Sequence, residues 1–157
     1  MKISIVTLNY NGSKETLELL KSLKEQTDSG FEIIVVDNAS EETDFATLQN
    51  GISRLIHSFP LTTSSRWQSH RGSSIKSGQV VCPHVKVVRN SQNLGFSGGN
   101  NMGIRQALDF STGSGQETGS DWVVLLNNDT WVENSFTERL RAVLRDKRGI
   151  VGIPLVE

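Results

Sequence analysis

The segment Asp121–Thr130, DWVVLLNNDT, constrains the fold of this chain more than any other. Five apolar residues, Trp122–Leu126, run without interruption and end at Asn127–Asp129. Such a run predicts a strand that is buried on both faces, which is typical of a parallel sheet covered by helices. Ligands of these sheets bind at the carboxyl ends of the strands, so the polar triplet falls where a ligand would bind. A simple turn is the alternative, because Asn and Asp favour turns.

Three further segments predict strands of the same sheet: Lys2–Leu8, Phe31–Val36 and Val85–Arg89. Apolar residues at helical spacing predict helices between and after the strands. The predicted helices follow Ser13 and cover Thr43–Phe59, Met102–Phe110 and Phe136–Arg148, and Gly149–Val156 begins one more strand. This alternation favours an α/β fold of three α/β/α layers, Rossmann-like, with a mostly parallel sheet.

Side chains at the helix starts and two irregular stretches complete the local predictions. Ser13 is the expected cap of the first helix, and Ser135 or Asn134 that of the last. Pro60–Gly78 and Ser111–Ser120 lack periodicity, and we expect them to be the least ordered stretches. They form insertions, at about 60–84 and 111–120, in a single domain. A separate hypothesis is a zinc site, but its candidate ligands lack the paired short spacing that zinc sites show. Those candidates are His70, Cys82 and His84.

Composition excludes several classes of protein. The 157 residues suffice for one domain, and 16 basic against 17 acidic residues give a net charge of −1. We therefore expect neither nucleic acid nor an anionic membrane surface as a partner. The single cysteine, Cys82, excludes an internal disulfide and fits a reducing compartment. No apolar run approaches the roughly 18 residues of a spanning helix, and Met1 leads directly into a predicted strand. These features predict a cytoplasmic protein.

Polar residues follow four predicted strands, and in a parallel sheet these strand tips meet at one edge. They are Thr7–Tyr10, Asp37 with Asn38, Asn90–Asn93 and Asn127–Asp129. The stretch NLGFSGGNN contains Gly95, Gly98 and Gly99, which let the backbone approach a ligand. The N–H groups of the helix predicted after them favour phosphate. Neither a GxGxxG fingerprint after the first strand nor a P-loop is present.

The segments IVTLNYNG, IIVVDNAS, NLGFSGGNNMGI and VVLLNNDT, in this order, resemble the signature of family 2 glycosyltransferases. The resemblance is nearest to the rhamnosyltransferase-like branch, whose members act in cell-surface polysaccharide synthesis. It implies a glycosyltransferase A type fold that binds a nucleoside diphosphate sugar, UDP- or dTDP-linked, together with Mg²⁺ or Mn²⁺. The implied acceptor is a saccharide or a lipid-linked saccharide.

The same resemblance assigns roles to individual residues. It implies that Thr7, Asn9 and Tyr10 line the nucleoside pocket. It also implies that Asp37 accepts the base N3–H and that Asn93–Asn101 borders the ribose and sugar. Asn128 and Asp129 take the place of the family's metal-binding DXD motif, with one acidic residue only. The implied donor-binding residues are Thr7, Asn9, Tyr10, Asp37, Asn38, Asn93, Gly95, Gly98, Gly99, Asn100, Asn127 and Asn128, and the implied metal ligand is Asp129.

The resemblance implies an inverting sugar transfer, which also needs a general base for the acceptor hydroxyl. No such base is visible in the motifs, and we expect it beyond Glu157, together with most of the acceptor site. The chain is then a donor-binding part, from a shortened protein or a fragment of a longer gene product, and is expected to be inactive alone. The alternative is a non-catalytic module that binds a nucleotide or nucleotide sugar. A purely structural domain is disfavoured, because the polar strand tips are intact.

Overall fold

The computed structural model describes residues 1–28, 30–57, 84–108 and 119–152. Strands and helices alternate along these ranges, as the sequence predicts. The elements are β1 (Ile3–Asn9), α1 (Ser13–Lys24), β2 (Phe31–Asp37), α2 (Glu42–His57), β3 (His84–Arg89), α3 (Gly95–Ala107), β4 (Trp122–Leu125) and α4 (Phe136–Leu144).

The four described strands form one parallel sheet in the order β3-β2-β1-β4. In the register, Asn9 pairs with Asp37 and Asp37 pairs with Arg89. On the other side of β1, Val6 pairs with Leu125. The prediction of a mostly parallel sheet with its strand tips along one edge is confirmed. Asp37 is the last residue of β2, and Asp129 follows the end of β4. Because these strands are parallel, both residues lie at the carboxyl edge of the sheet.

Alternate strand residues pack on opposite faces of the sheet, as a period of two requires. On one face Ile5 and Val35 pack with Leu19 of α1 and Leu48 of α2, and Leu140 of α4 belongs to the same cluster. On the other face, the buried cluster contains Val6, Ile34, Val36 and Ala107 of α3. The sheet therefore lies between two helical layers, which confirms the three-layer α/β/α architecture.

Strand β4 differs from the prediction of a strand buried on both faces. Val124 is buried, but Leu125 is 47% exposed and the strand ends there, one residue before Leu126. The reason is its position, because β4 lies at an edge of the described sheet and pairs only with β1 there. An unbroken apolar run does not distinguish a central strand from an edge strand.

Helix α3 begins at Gly95, well before the predicted start at Met102, so the glycine-rich stretch is itself helical. The prediction that a helix follows these glycines was wrong. A Cβ atom on Gly99 would lie 2.4 Å from Leu8 Cδ1, and one on Gly103 would lie 2.2 Å from Val6 Cγ1. These glycines allow α3 to pack closely on β1, and this packing outweighs their low helix propensity.

The predicted helix caps were also wrong. Ser13 is itself the first residue of α1, and the residue before it, Gly12, has no side chain to cap the helix. Ser135, which precedes α4, makes no side-chain capping hydrogen bond. The Ser13 N–H donates instead to Asp44 Oδ1 at 3.0 Å, from the first turn of α2. The Thr137 N–H donates to Gln26 Oε1 at 3.0 Å. Both helix starts are thus satisfied by side chains from other parts of the fold, which local sequence does not reveal.

Several predictions fall on residues outside the described ranges. These are the whole of Pro60–Gly78, Ser111–Ser120 apart from its last two residues, and the zinc candidates His70 and Cys82. Of the strand predicted over Gly149–Val156, residues 149–152 are described and are not a strand. None of the helices in the described ranges combines the length and apolar character that a bilayer crossing requires.

Candidate functional site

A cavity of about 270 Å³ opens at the carboxyl edge of the sheet, between the tips of β1 and β4 and the first turns of α3. This is the position at which parallel α/β sheets bind their ligands. Its volume is close to the lower end of the range for small-molecule pockets, roughly 300–1,000 Å³. The residues that line it are Leu8, Tyr10, Phe96, Asn100, Leu126, Asn127, Asn128 and Asp129.

The lining combines two exposed aromatic rings with amides and one carboxylate. Tyr10 is 52% exposed and Phe96 is 63% exposed, so neither ring is used in the core. Asp129 is the carboxylate among the lining residues, and Asn127 lies beside it in the turn. Aromatic faces and amides suit a nucleobase or a sugar, and carboxylate and amide oxygens suit a hard cation. Among the described residues, no three His, Cys, Asp or Glu side chains cluster as a self-sufficient metal site.

Asn128 lines the cavity, but its amide nitrogen makes its hydrogen bonds within the protein. Its Nδ2 donates to Thr16 Oγ1 at 3.2 Å and to Gly12 O at 3.4 Å, both on α1 or its preceding turn. A Cβ atom on Gly12 would lie 2.7 Å from this nitrogen, so a side chain at position 12 would displace the Asn128 amide. Asn128 therefore attaches the turn after β4 to the start of α1. Because its nitrogen is used in this way, the predicted contact with the donor would involve the Asn128 side-chain oxygen.

A buried polar cluster around Asn9 lies beside the cavity, on the face covered by α1 and α2. Asn9 Nδ2 is within hydrogen-bonding distance of Asp37 Oδ1 (2.9 Å), Ser40 Oγ (3.0 Å) and Asp44 Oδ2 (3.1 Å). Its Oδ1 accepts from Thr16 Oγ1 at 2.8 Å. Asn9 and Asp37 have no exposed surface. They hold the tips of β1 and β2 together and do not line the cavity.

Arg89, the last residue of β3, joins the third strand tip to this cluster. Its Nε lies 3.3 Å from Asp37 Oδ2 and its Nη1 lies 2.8 Å from Glu42 Oε1. Its Nη2 donates to the Ser40 carbonyl at 3.0 Å, and the guanidinium carbon lies 4.1 Å from the centre of the Phe45 ring. Arg89 thus fixes the first turn of α2 against the tips of β2 and β3, a role that sequence reasoning missed.

The electrostatics of Asp44 follow from the same cluster. Burial by itself raises the pKa of Asp44, but hydrogen bonds from the Ser13 side chain, the Asn9 amide and the Ser13 backbone N–H outweigh it. The pKa therefore lies below its ordinary value of 3.8. The carboxylate is charged at neutral pH, which suits its place at the starts of α1 and α2, where helix dipoles favour negative charge.

A second set of amide contacts surrounds Asn38, on the α3 side of the strand tips. Its Nδ2 donates to Asn93 Oδ1 at 2.8 Å and to the Gly95 carbonyl at 3.2 Å. Its Oδ1 accepts from Asn90 Nδ2 and from the Leu94 N–H, both at 3.0 Å. Asn38 therefore shapes the turn that leads into α3 and so fixes where Phe96 projects.

The structure brings only part of the predicted site into the cavity. Of the predicted residues, those that line it are Tyr10, Asn100, Asn127, Asn128 and Asp129. The others lie beside it or in its supports: Thr7, Asn9, Asp37, Asn38, Asn93, Gly95, Gly98 and Gly99. Thr7 is buried, and its Oγ1 has no hydrogen-bond partner among the described residues. Gly98 and Gly99 face Leu94 and Leu8.

Sequence reasoning did not single out three lining residues, Leu8, Phe96 and Leu126, although Leu8 and Phe96 lie within predicted site segments. Phe96 carried a signal that could have been used, because it is a large apolar residue within an otherwise small and polar stretch. Leu8 and Leu126 carried no such signal, because an apolar residue at the end of a strand is predicted to lie in the hydrophobic core.

Comparisons with known proteins show which sequences and folds this chain is similar to. The sequence model of the family described as Glycosyl transferase family 2 matches residues 4–56, which include α1, β2 and most of β1 and α2. An uncharacterized glycosyltransferase of Haemophilus influenzae is 27% identical over 148 residues, which are 94% of this chain and 36% of that protein. The chain therefore spans about a third of the length of this relative.

Solved structures show the same fold at lower identity. The crystal structure of S. aureus TarS 1-349 in complex with UDP is similar with a TM-score of 0.61 at 19% identity, over 100% of this chain and 38% of that one. The mannosyltransferase PcManGT from Pyrobaculum calidifontis, in complex with GDP-Man and Mn²⁺, is similar with a TM-score of 0.53 at 16% identity. The match covers 82% of this chain and 28% of that one. The chain is therefore similar in sequence to the family model over residues 4–56 and to a glycosyltransferase over most of its own length.

Proposed function

We propose that this chain is the donor-binding part of a glycosyltransferase that moves a sugar from a nucleoside diphosphate sugar to an acceptor hydroxyl group. The observation that carries the proposal is the cavity at the carboxyl edge, which is lined by Asp129 and by the exposed rings of Tyr10 and Phe96. Its position and its chemistry suit a nucleotide whose phosphates lie near the carboxylate. Similar folds have been solved with UDP, UDP-GlcNAc and GDP-Man, which supports a nucleotide-sugar ligand.

The cation of the proposed site is Mg²⁺ or Mn²⁺, and Asp129 is its protein carboxylate. The donor set fits such an ion, because these cations accept one or two carboxylates and complete their shell with phosphate oxygens and water. Asn127 and the Asn128 oxygen belong to the same turn and can add amide oxygens. When bound, the cation supplies positive charge against the leaving diphosphate. One structural neighbour was solved with Mn²⁺, which supports the choice of metal.

The proposal assigns Asp37 a different role from the one that the family resemblance implies. Both of its oxygens already have partners, namely Asn9, Ser40 and Arg89, and the side chain has no exposed surface. A nucleobase would have to displace one of these groups to reach it. We therefore propose that Tyr10 and Phe96, which do line the cavity, make the contacts to the nucleoside and sugar.

Three finer elements of the proposal rest on the motif resemblance. They are an inverting reaction, a rhamnosyltransferase-like substrate range in cell-surface polysaccharide synthesis, and a saccharide or lipid-linked saccharide acceptor. Asp129 is the carboxylate at the cavity and is assigned to the cation. The general base is therefore proposed to lie outside the described residues.

Isothermal titration calorimetry tests the proposal. UDP, dTDP and GDP are titrated into the protein with Mn²⁺, with Mg²⁺ and with EDTA. We expect a uridine or thymidine diphosphate to bind, with an affinity that Mn²⁺ raises by about tenfold, since typical coupling between two ligands is roughly 5–150-fold. Nucleotide affinity that is the same with metal and with EDTA would contradict the metal site and favour the alternative of a simple nucleotide-binding module. Absence of binding to all three nucleotides would overturn the proposed function.

A further inference from the structure

Thr16, in the second turn of α1, belongs to none of the sequence motifs, yet it connects the cavity to the buried polar cluster. We propose that Thr16 is a positioning residue, whose hydroxyl group holds the Asn127–Asp129 turn in the geometry that binds the cation. This inference rests on the proposed function, because it assigns the cation to Asp129. It adds a residue outside the predicted site to the machinery of that site.

The hydroxyl group of Thr16 makes contacts to two strand tips at once. It accepts a hydrogen bond from Asn128 Nδ2 at 3.2 Å. Its single proton has two acceptors within reach, Asn9 Oδ1 at 2.8 Å and the Gly12 carbonyl at 2.9 Å. A hydroxyl group that accepts from one amide and donates to another fixes the relative positions of the tips of β4 and β1.

The same contacts continue to the other two strands. From Asn9 the amide reaches Asp37 at the tip of β2, and Asp37 pairs with Arg89 at the tip of β3. One continuous set of side-chain contacts therefore runs from Asn128 through Thr16 to Arg89 and includes all four strand tips. Among these side-chain contacts, Thr16 joins the turn that carries Asp129 to the cluster around Asn9, beside the 3.4 Å contact of Asn128 Nδ2 with the Gly12 carbonyl.

Burial makes this link strong. Thr16 has no exposed surface, so its hydroxyl group depends on protein partners for its hydrogen bonds. Gly12 keeps the space open, because a Cβ atom there would lie 2.7 Å from Asn128 Nδ2. β4 lies at an edge of the described sheet and has a single described neighbour, so its turn depends more on such side-chain contacts than a central strand would.

The test compares variants of Thr16 with a matched variant elsewhere. Thr16→Val removes the hydroxyl group and keeps the shape, and Thr16→Ser keeps the hydroxyl group. Thr16→Ala also removes the hydroxyl group, without adding a methyl group in its place. It tests the same hydrogen bonds if Thr16→Val fails to fold. The control is Thr137→Val, because Thr137 is 1% exposed, lies in α4 and also donates a buried hydrogen bond, to the Asp28 carbonyl at 3.0 Å.

Two measurements are made on each variant: the gain in UDP affinity caused by Mn²⁺, and the ¹⁵N relaxation of the backbone amides of residues 127–130 without ligand. We expect Thr16→Val and Thr16→Ala to reduce the gain by about fivefold to tenfold, which corresponds to the net effect of one hydrogen bond. They should also increase the mobility of the turn. Thr16→Ser and Thr137→Val should match the wild type in both measurements.

The outcomes separate the two proposals. If wild-type affinity for UDP does not respond to Mn²⁺, the proposed metal site fails, and the relaxation data alone then decide whether Thr16 holds the turn. If the wild type responds, and Thr16→Val and Thr16→Ala respond equally with an equally rigid turn, the positioning role of Thr16 is wrong. A loss in Thr137→Val as large as that in Thr16→Val would also overturn it, because the effect would then be one of general stability.

Discussion

Asp37 Oδ2 lies 3.3 Å from Nε of Arg89 on the neighbouring strand, and the Asp37 side chain has no exposed surface. Asn9 Nδ2 and the Ser40 N–H donate to the same carboxylate, at 2.9 and 3.3 Å. Asp37 shares its face of the sheet with Val35, which packs against α1 and α2. In this structure Asp37 holds the tip of β2 to the tips of β1 and β3.

We therefore predict that Asp37→Asn acts mainly on stability. The substitution keeps the size of the side chain but leaves Arg89 without its buried partner, so the free energy of unfolding should fall by roughly 2–3 kcal/mol. Urea unfolding followed by circular dichroism measures this. Asp28→Asn is the control, because the Asp28–Arg141 pair is 2.6 Å apart but about a quarter exposed on each side. It should cost about 1 kcal/mol or less.

The same variant tests the base-binding role that the family resemblance implies for Asp37. If Asp37→Asn unfolds at the urea concentration of the wild type but loses affinity for UDP, then Asp37 contacts the nucleobase and the cluster opens on binding. If the loss of affinity is no greater than the loss of folded protein explains, the structural role is sufficient.

Asp129→Ala should remove the coupling between cation and nucleotide. Asp129 is the carboxylate of the cavity, so its loss leaves only neutral oxygen donors for the metal. We expect UDP to bind weakly and with the same affinity in Mn²⁺ and in EDTA, as measured by calorimetry. The control is Asp121→Ala at the other end of β4, where the aspartate side chain is 61% exposed. Coupling that survives in Asp129→Ala would show that Asp129 is only a turn residue.

Gly99→Ala should displace α3 from β1. The added methyl group would lie 2.4 Å from Leu8 Cδ1, a contact that requires Leu8 or the helix to move. We expect a loss of about 1–3 kcal/mol in the free energy of unfolding, as is typical of an overpacked core. UDP affinity should fall as well, because Leu8 and Phe96 line the cavity from these two elements. Gly152→Ala is the control, since no atom of the described residues lies within 4 Å of the added group. Wild-type behaviour of Gly99→Ala would contradict this account.

The sequence predicted the sheet and its functional edge because those depend on local pattern. Apolar runs followed by polar residues identify parallel strands and their tips, and the parallel register then places Asp37 and Asp129 at the same edge. The motifs also identified Tyr10 and the Asn127–Asp129 turn as cavity residues, although their binding roles are still predictions.

The remaining details depend on contacts between distant residues, which one sequence does not reveal. Asn128 and Thr16 are 112 positions apart, and Asp44 caps a helix that begins 31 positions earlier. The start of α3 was misplaced because glycine disfavours helices in isolation, whereas here Gly99 lets α3 pack closely on Leu8. Arg89 would need a known neighbour on β2 before its role could be inferred.

The last prediction concerns acid stability and Asp44. Burial alone raises the pKa of this carboxyl, but hydrogen bonds from Ser13 and Asn9 outweigh it and lower the pKa below 3.8 in the folded protein. A group with a depressed folded pKa stabilises the fold fully above its unfolded pKa, and this stabilisation is lost as the pH falls through the folded value. The contribution of Asp44 should therefore be constant above about pH 5 and decline below about pH 4. Asp44→Asn cannot titrate, so its unfolding free energy should fall less steeply between pH 5 and pH 3, where each step is measured by urea unfolding. Equal slopes for Asp44→Asn and the wild type would show that the contacts of Asp44 with the start of α1 do not contribute to stability.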